Sequence, residues 1–182
     1  SLVGPMTRAH DVDIDVRRDH PYAAYDEMQF DVPVVDSCDV WGTVVVRILE
    51  TFEAIKIIRQ ALDKMPAGPI MTEFSEEIEP LRHAISAVEA PRGEVVHYLI
   101  TGEENRPERW RVRAPTYPNL QGVPAMLLND QFADLPIIIG SIDPCFSCTD
   151  RVVKVDIRTG EKSRLTKMDL EKISRAKKFA GR

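Results

Sequence analysis

The stretch DVWGTVVVRILETFEAIKIIRQALDKM, residues 39–65, decides how the chain reads. Its apolar residues Trp41, Val45, Ile48, Phe52, Ile55, Ile58, Leu62 and Met65 step by three or four, which sets them along one side of a helix. Asp36 or Ser37 stands where a side-chain oxygen can cap the first turn. Pro66, Gly68 and Pro69 follow, and proline lacks the amide that a continuing helix needs. A long amphipathic helix is therefore expected over Asp39 to Met65.

Before it, residues 1–33 have few apolar side chains, two Asp-rich patches and the aromatics Tyr22, Tyr25 and Phe30, without a sustained period. The chain opens like the middle of a longer protein. After the helix, residues 72–88 read as a polar loop with one short helix. Glu94 to Ile100 and Arg109 to Arg113 are rich in Val, Tyr, Ile and Trp and suggest an antiparallel hairpin, closed by the loop from Gly102 to Pro107. Asn119 to Asp130 reads as a helix, bent or restarted at Pro124. Asp134 can cap a short apolar helix running to Ser141, with a buried strand as the competing reading of Leu135 to Ile142, because a short apolar run does not identify its own period. Beyond Arg151 come a strand, Val152 to Ile157, a turn at Gly160, and a helix opened by Thr166 with Asp169 as capping partner. The expected class is α+β, predominantly α, with a long amphipathic helix and a small antiparallel hairpin.

With 182 residues, 43% of them hydrophobic and 29% charged, the composition is that of a soluble globular chain and excludes disorder throughout. The longest uncharged apolar stretch, 135–142, is far short of the roughly 20 residues of a membrane span, and no export leader is expected. Three cysteines are too few for a disulfide scaffold and read as thiols of a reducing compartment, the cytoplasm. The net charge of −5 hides an asymmetry: residues 152–182 carry ten Lys/Arg against four Asp/Glu, while residues 1–151 carry 14 basic and 25 acidic side chains. Such an acidic body has no electrostatic reason to bind nucleic acid. The basic segment reads either as a separate piece attracted to that body or as a solvated face.

The sharpest local feature is Asp143-Pro144-Cys145-Phe146-Ser147-Cys148-Thr149-Asp150-Arg151. One turn of chain can present both sulfurs to one metal, and thiolates favour zinc, nickel or iron over magnesium or calcium. Half of a zinc site, a redox pair and two inert buried thiols are the readings open to a single CxxC. Cys38, the remaining cysteine, reads as structural. A second feature, Ala90-Pro91-Arg92-Gly93-Glu94, leads into the hairpin and offers a guanidinium that stays charged and donates in a fixed fork, toward an open metal position or a small anion. Ala114-Pro115-Thr116 ends the other strand, where the Thr116 hydroxyl can donate to a small acceptor.

Taken in order, Glu89-Ala90-Pro91-Arg92-Gly93-Glu94, then Arg113-Ala114-Pro115-Thr116, then Ser141-Ile142-Asp143-Pro144-Cys145-Phe146-Ser147-Cys148-Thr149-Asp150-Arg151 resemble the C-terminal part of a nickel-iron hydrogenase large subunit. The opening Asp15-Val16-Arg17-Arg18-Asp19-His20-Pro21-Tyr22, followed by Phe30-Asp31-Val32-Pro33-Val34, is similar to the energy-converting, membrane-bound group of that family. That group includes the large subunit of formate hydrogenlyase and is homologous to the 49 kDa NADH-quinone oxidoreductase subunit of complex I. The resemblance covers nearly all of residues 3–151.

The resemblance implies that Cys145 is a terminal nickel ligand and that Cys148 bridges nickel and iron in a Ni-Fe centre. It places Arg92 over the metals, Pro91 and Thr116 toward the cyanide ligands of iron, and Asp143 behind them, orienting Arg92 or the ligand loop. The N-terminal CxxC of the family has no counterpart in this sequence, so half of the ligands are present, and no bound metal and no activity are expected of this chain alone. Arg151 occupies the position after which nickel-loaded relatives lose a C-terminal extension. Residues 1–151 are then the large-subunit part, and 152–182 a basic extension removed on maturation. The implied partners are an iron-sulfur small subunit, the membrane subunits of a complex I-like assembly and a maturation endopeptidase, on the inner face of the cytoplasmic membrane. Two rivals stand beside this reading: a complex I-like quinone oxidoreductase subunit without a metal centre, and a non-catalytic zinc-binding or docking module.

Overall fold

A computed structural model of the chain describes residues 2–73, 77–149 and 152–179. The aperiodic opening forms two short helices, α1 (Pro5–Arg8) and α2 (Val16–Asp19), the second started by Asp15, whose carboxylate accepts the Arg17 amide at 2.9 Å. Extended chain then leads to α3 (Val40–Lys64), the long helix that the apolar period predicts. Its cap is Asp39 rather than Asp36 or Ser37: Asp39 has an extended backbone, and its Oδ1 accepts the Gly42 amide at 2.7 Å. Ser37 lies against that first turn so closely that a Cβ on Gly42 would meet its hydroxyl. Met65 is extended, as the residue before a proline must be.

The face that α3 packs is its polar one. Gly42, Thr43, Val46 and Glu53 are buried, whereas Trp41, Ile48, Phe52, Ile58 and Leu62 are each more than half exposed. Among the described residues the apolar core consists of Met6, Ala9, Val16, Val46, Ile138 and Ile142, drawn from α1, α2, α3 and the segment around α6.

Three strands, β1 (His83–Ala90), β2 (Gly93–Thr101) and β3 (Pro107–Arg113), form an antiparallel sheet in the order β1-β2-β3. The expected hairpin is β2–β3. Strand β1 lies where a polar loop with a short helix was expected, because pairing along its whole length with β2 supplies what its own weak alternation lacks. Its first four residues are exposed, so no apolar face announces it. After the sheet come α4 (Thr116–Leu120), α5 (Val123–Met126) and α6 (Leu135–Ser141). The helix expected over 119–130 is thus two, with the restart at Val123-Pro124, since proline fits a first turn. Residues 135–141 are helix, not strand. Asp134 stands at the start of α6 but turns its carboxylate back to the Gln131 amide.

The chain divides into two compact units, residues 1–144 and 145–182. In the second, β4 (Val152–Val155) pairs antiparallel with β5 (Lys162–Leu165), and α7 (Lys167–Phe179) follows. The expected strand over 152–157 ends early because Asp156 begins the turn: its carboxylate accepts the Arg158 and Thr159 amides, and Gly160 closes it at φ +70°. Thr166 and Asp169 form the expected reciprocal cap, while β5 carries no apolar alternation and was not foreseen. Arg151 lies outside the described residues. No described helix is long and apolar enough to cross a membrane.

One cluster ties the first unit together. Arg8, 1% exposed, places Nη2 2.6 Å from Glu50 Oε1 of α3 and Nη1 3.0 Å from Glu89 Oε1 of β1, and lies 3.5 Å from Asp15. Arg17 pairs with the same Asp15 at 2.6 Å and stacks its guanidinium 5.2 Å from the Phe30 ring centre. Tyr22 packs edge-on to Tyr25 and accepts the Glu89 amide through its hydroxyl. Two guanidiniums thus face three carboxylates away from water. Burial pushes the Glu89 carboxyl above its ordinary value, against the pull of Arg8.

Arg8→Met should therefore cost about 3–5 kcal/mol in urea unfolding, because it strands buried carboxylates, whereas Glu89→Gln should cost about 1 kcal/mol or less. A carboxyl held above its ordinary 4.5 binds its proton more tightly when folded. Its stabilisation is full below about 4.5 and is lost as pH rises through the raised value. The stability gap between wild type and Glu89→Gln should accordingly narrow as pH rises from 4.5; a widening gap would contradict the cluster's assignment.

Candidate functional site

Pro91 and Arg92 are the two-residue tip of the β1–β2 hairpin, since Ala90 pairs with Gly93. The tip is clamped from its backbone side. Gly93 (φ +118°) and Gly4 (φ +69°) press together so tightly that a Cβ on Gly93 would lie 2.6 Å from the Gly4 nitrogen. Only glycine tolerates both the backbone angle and the approach. Beside them Asn119, fully buried on α4, accepts the Val3 amide at 2.9 Å and donates from Nδ2 to the Arg92 carbonyl at 3.0 Å. Thr116 heads the same helix one turn earlier and is also fully buried, so it shares the face that carries Asn119 to the tip. Pro91 is exposed.

The Arg92 side chain is held by Asp143. Its Nε donates to the Asp143 carbonyl, and its Nη2 lies 3.0 Å from Asp143 Oδ2. Asp143 follows α6 in the left-handed conformation (φ +54°), with its amide bonded to the Gly140 carbonyl. A helix commonly ends this way, usually on glycine, and an aspartate tolerates it. The resemblance implies that Asp143 orients Arg92 or the ligand loop, and in the structure its carboxylate and carbonyl lie against Arg92.

Arg47 of α3 completes the arrangement. Its Nη1 lies 3.4 Å from the Pro91 carbonyl and 3.7 Å from Asp143 Oδ2, and its Nη2 donates to the Ile142 carbonyl at 3.2 Å. Burial lowers its pKa, opposed by Asp143 and Glu50. A cavity of about 390 Å³, lined by Arg8, Arg17, Arg47, Glu50, Glu89 and Pro91, runs between the charge cluster and this loop. A further cavity of about 410 Å³, with Ile78, His97, Leu99 and Trp110 in its lining, lies on the sheet and includes none of the expected site residues.

In the second unit, Cys145 and Cys148 sit on a single turn closed by the Cys148 amide on the Cys145 carbonyl, 3.1 Å. The Thr149 hydroxyl donates to the same carbonyl at 3.1 Å, and Ser147 Oγ lies 3.0 Å from the Cys145 sulfur. Two half-buried soft donors on one turn are of the type that suits a chelated nickel, iron or zinc ion. Among the described residues no group of three or more His, Cys, Asp or Glu side chains stands ready to hold a metal. Cys38 is exposed at φ +54° in front of α3, tied by its amide to the Ala9 carbonyl, and so is not a packed structural thiol.

Sequence reading missed Arg47, Asn119 and Gly4. Asn119 had a signal, one helical turn after Thr116. Arg47 had none, because an arginine off the apolar stripe of a helix reads as solvated.

Comparison with known proteins agrees with the motifs. The family model for the respiratory-chain NADH dehydrogenase 49 kDa subunit matches residues 1–86 and 74–151. Formate hydrogenlyase subunit 5 of Escherichia coli (strain K12) is 41% identical over 174 residues, covering 96% of this chain and 30% of that protein. The carbon monoxide-induced hydrogenase of Rhodospirillum rubrum is 41% identical over 150 residues, 82% of this chain and 41% of its own length. The D-type subunit of the NADH-quinone oxidoreductase of Dehalococcoides mccartyi (strain ATCC BAA-2100 / JCM 16839 / KCTC 5957 / BAV1) is 36% identical over 152 residues, 83% of this chain and 41% of that protein. The chain thus spans between 30% and 41% of the length of these three relatives. It belongs to the family of the respiratory-chain NADH dehydrogenase 49 kDa subunit.

Proposed function

We propose that this chain is part of the catalytic large subunit of an energy-converting nickel-iron hydrogenase, which interconverts hydrogen with protons and electrons. The two-point hold of Arg92 on Asp143, two positions before a turn that carries both Cys145 and Cys148, is the observation that supports this best. When bound, a Ni-Fe centre would supply the place where hydrogen is split. This chain would contribute two of its thiolates, Cys145 and Cys148. The guanidinium fork of Arg92 has a fixed direction, so it can orient a small ligand and stabilise charge as it develops there. Asp143 sets that direction. Pro91 and Thr116 would line the ligand side, the first without an amide hydrogen and the second with a hydroxyl donor.

In isolation the chain would bind no Ni-Fe centre and would be inactive, because two thiolates do not close a four-sulfur cage. Electrons would leave through an iron-sulfur small subunit, and membrane subunits of a complex I-like assembly would hold the protein at the inner face of the cytoplasmic membrane. A maturation endopeptidase would remove residues 152–182 after Arg151. The quinone oxidoreductase reading draws on the 36% identity to the Dehalococcoides mccartyi protein, but it leaves two cysteines on one turn without a task.

In the complete matured subunit, Cys148→Ser should lose nickel and iron by elemental analysis, while Cys38→Ser, at an exposed position, should keep both. Zinc in place of nickel and iron in the wild type, or equal loss in the two variants, would refute the assignment. Arg92→Lys should retain both metals and lower hydrogen turnover by about tenfold or more, because an ammonium keeps the charge but not the fork. Near-normal turnover in a fully loaded Arg92→Lys enzyme would return Arg92 to a structural role. The intact mass of the subunit from an active complex should end at Arg151; a mass that includes Arg182 would make the extension permanent.

A further inference from the structure

Arg47 is expensive to keep where it is. Its Nε is buried without a hydrogen-bond partner among the described residues, and its guanidinium lies among Asp143, Glu50, Arg92 and Arg8, so like charges oppose it as well as unlike ones favouring it. A buried donor left unpaired costs about 1–3 kcal/mol, and removing Arg47 strands no buried charge, since Asp143 keeps Arg92 and is 47% exposed. Packing alone therefore gives no reason for an arginine on this turn of α3. What the side chain does is bridge: one guanidinium reaches the Pro91 carbonyl at the hairpin tip, the Ile142 carbonyl at the end of α6, and the carboxylate of Asp143. These are the segments on either side of the Arg92–Asp143 pair.

We infer that Arg47 is a positioning residue that fixes the hairpin tip against the end of α6 and so holds Arg92 in register with Asp143. Its role in turnover rests on the hydrogenase reading, whereas its role in holding Arg92 does not. Two contacts set the spacing between the tip and the helix end, and the third shares Asp143 Oδ2 with Arg92, so that neither guanidinium neutralises the carboxylate by itself. With Arg47 gone, Asn119 still holds the Arg92 backbone, but the guanidinium rests on Asp143 alone, and Asp143 is free to turn on an unusual backbone angle.

The test uses the 182-residue chain and nitrogen-edited NMR of the arginine Nε–H groups. In wild type, the Arg92 Nε–H, donated to the Asp143 carbonyl, should exchange slowly with solvent. Arg47→Met should unfold cooperatively at or near the wild-type midpoint, yet exchange of the Arg92 Nε–H should be faster by about tenfold or more. Arg47→Lys, which keeps the charge without the fork, should show the same loss of protection. Unchanged protection of Arg92 in either folded variant would overturn the proposal, and so would failure of both variants to fold, which would make Arg47 a structural residue. In the matured subunit, Arg47→Lys should lower kcat for hydrogen while leaving KM near its original value. Absence of hydrogen turnover in the wild type would overturn the hydrogenase reading and leave the exchange result standing.

Discussion

The first unit depends on one ion cluster. A guanidinium with 1% exposure is tolerable only if its donors are met, and Arg8 meets them with Glu50, Glu89 and the Ile14 carbonyl, while Asp15 is shared with Arg17. The partners come from different segments: the opening loop, the middle of α3, and the end of β1. Water cannot replace any of them. The segments therefore converge or the charges stay exposed, and that requirement brings an aperiodic opening, a helix and a sheet to one point with few buried apolar side chains among the described residues.

From that point the geometry of the site follows by short steps. Glu89 is pinned at the end of β1, so the hairpin tip two residues later has little freedom. Gly93 and Gly4 let two backbones touch, and Asn119 bonds to both sides of that contact. Arg92 leaves the clamp at a defined angle and meets Asp143, which owes its own direction to the left-handed end of α6. Stability and function draw on the same strand. The carboxylate that neutralises Arg8 stands three residues before the guanidinium that carries the proposed chemistry.

Much of this was legible in the sequence, for reasons that also explain what was not. The period of 39–65 gave α3 nearly to the residue, because 3.6-fold spacing is a local property, and Pro66 marks its end plainly. The same period says which face is apolar and nothing about which face packs, and α3 packs the other one, through Thr43, Val46, Glu50 and Glu53. Strands β1 and β5 escaped because their stability lies in ladders to β2 and β4, while their own residues carry no clear apolar alternation to report them. Motifs located Arg92, Asp143, Cys145 and Cys148. Asn119 and Arg47 act through backbone carbonyls, and any residue supplies a carbonyl, so no partner in the sequence points back at them.

The contrast between the buried Arg8 and the half-buried Arg47 separates what holds the fold from what adjusts the site. Every guanidinium nitrogen of Arg8 has a partner at 2.6–3.0 Å, with Asp15 at 3.5 Å besides, and its loss removes the reason for three segments to meet. Arg47 has longer contacts, 3.2–3.7 Å, and an unpartnered Nε. Short, saturated contacts resist change because each small displacement breaks a charge-assisted bond. The longer contacts of Arg47 each contribute less, and a cavity lies beside Pro91. A residue held in that way contributes little to stability and can still decide where its neighbours stand, which is the property required of a group that sets the angle between a hairpin tip and a helix end.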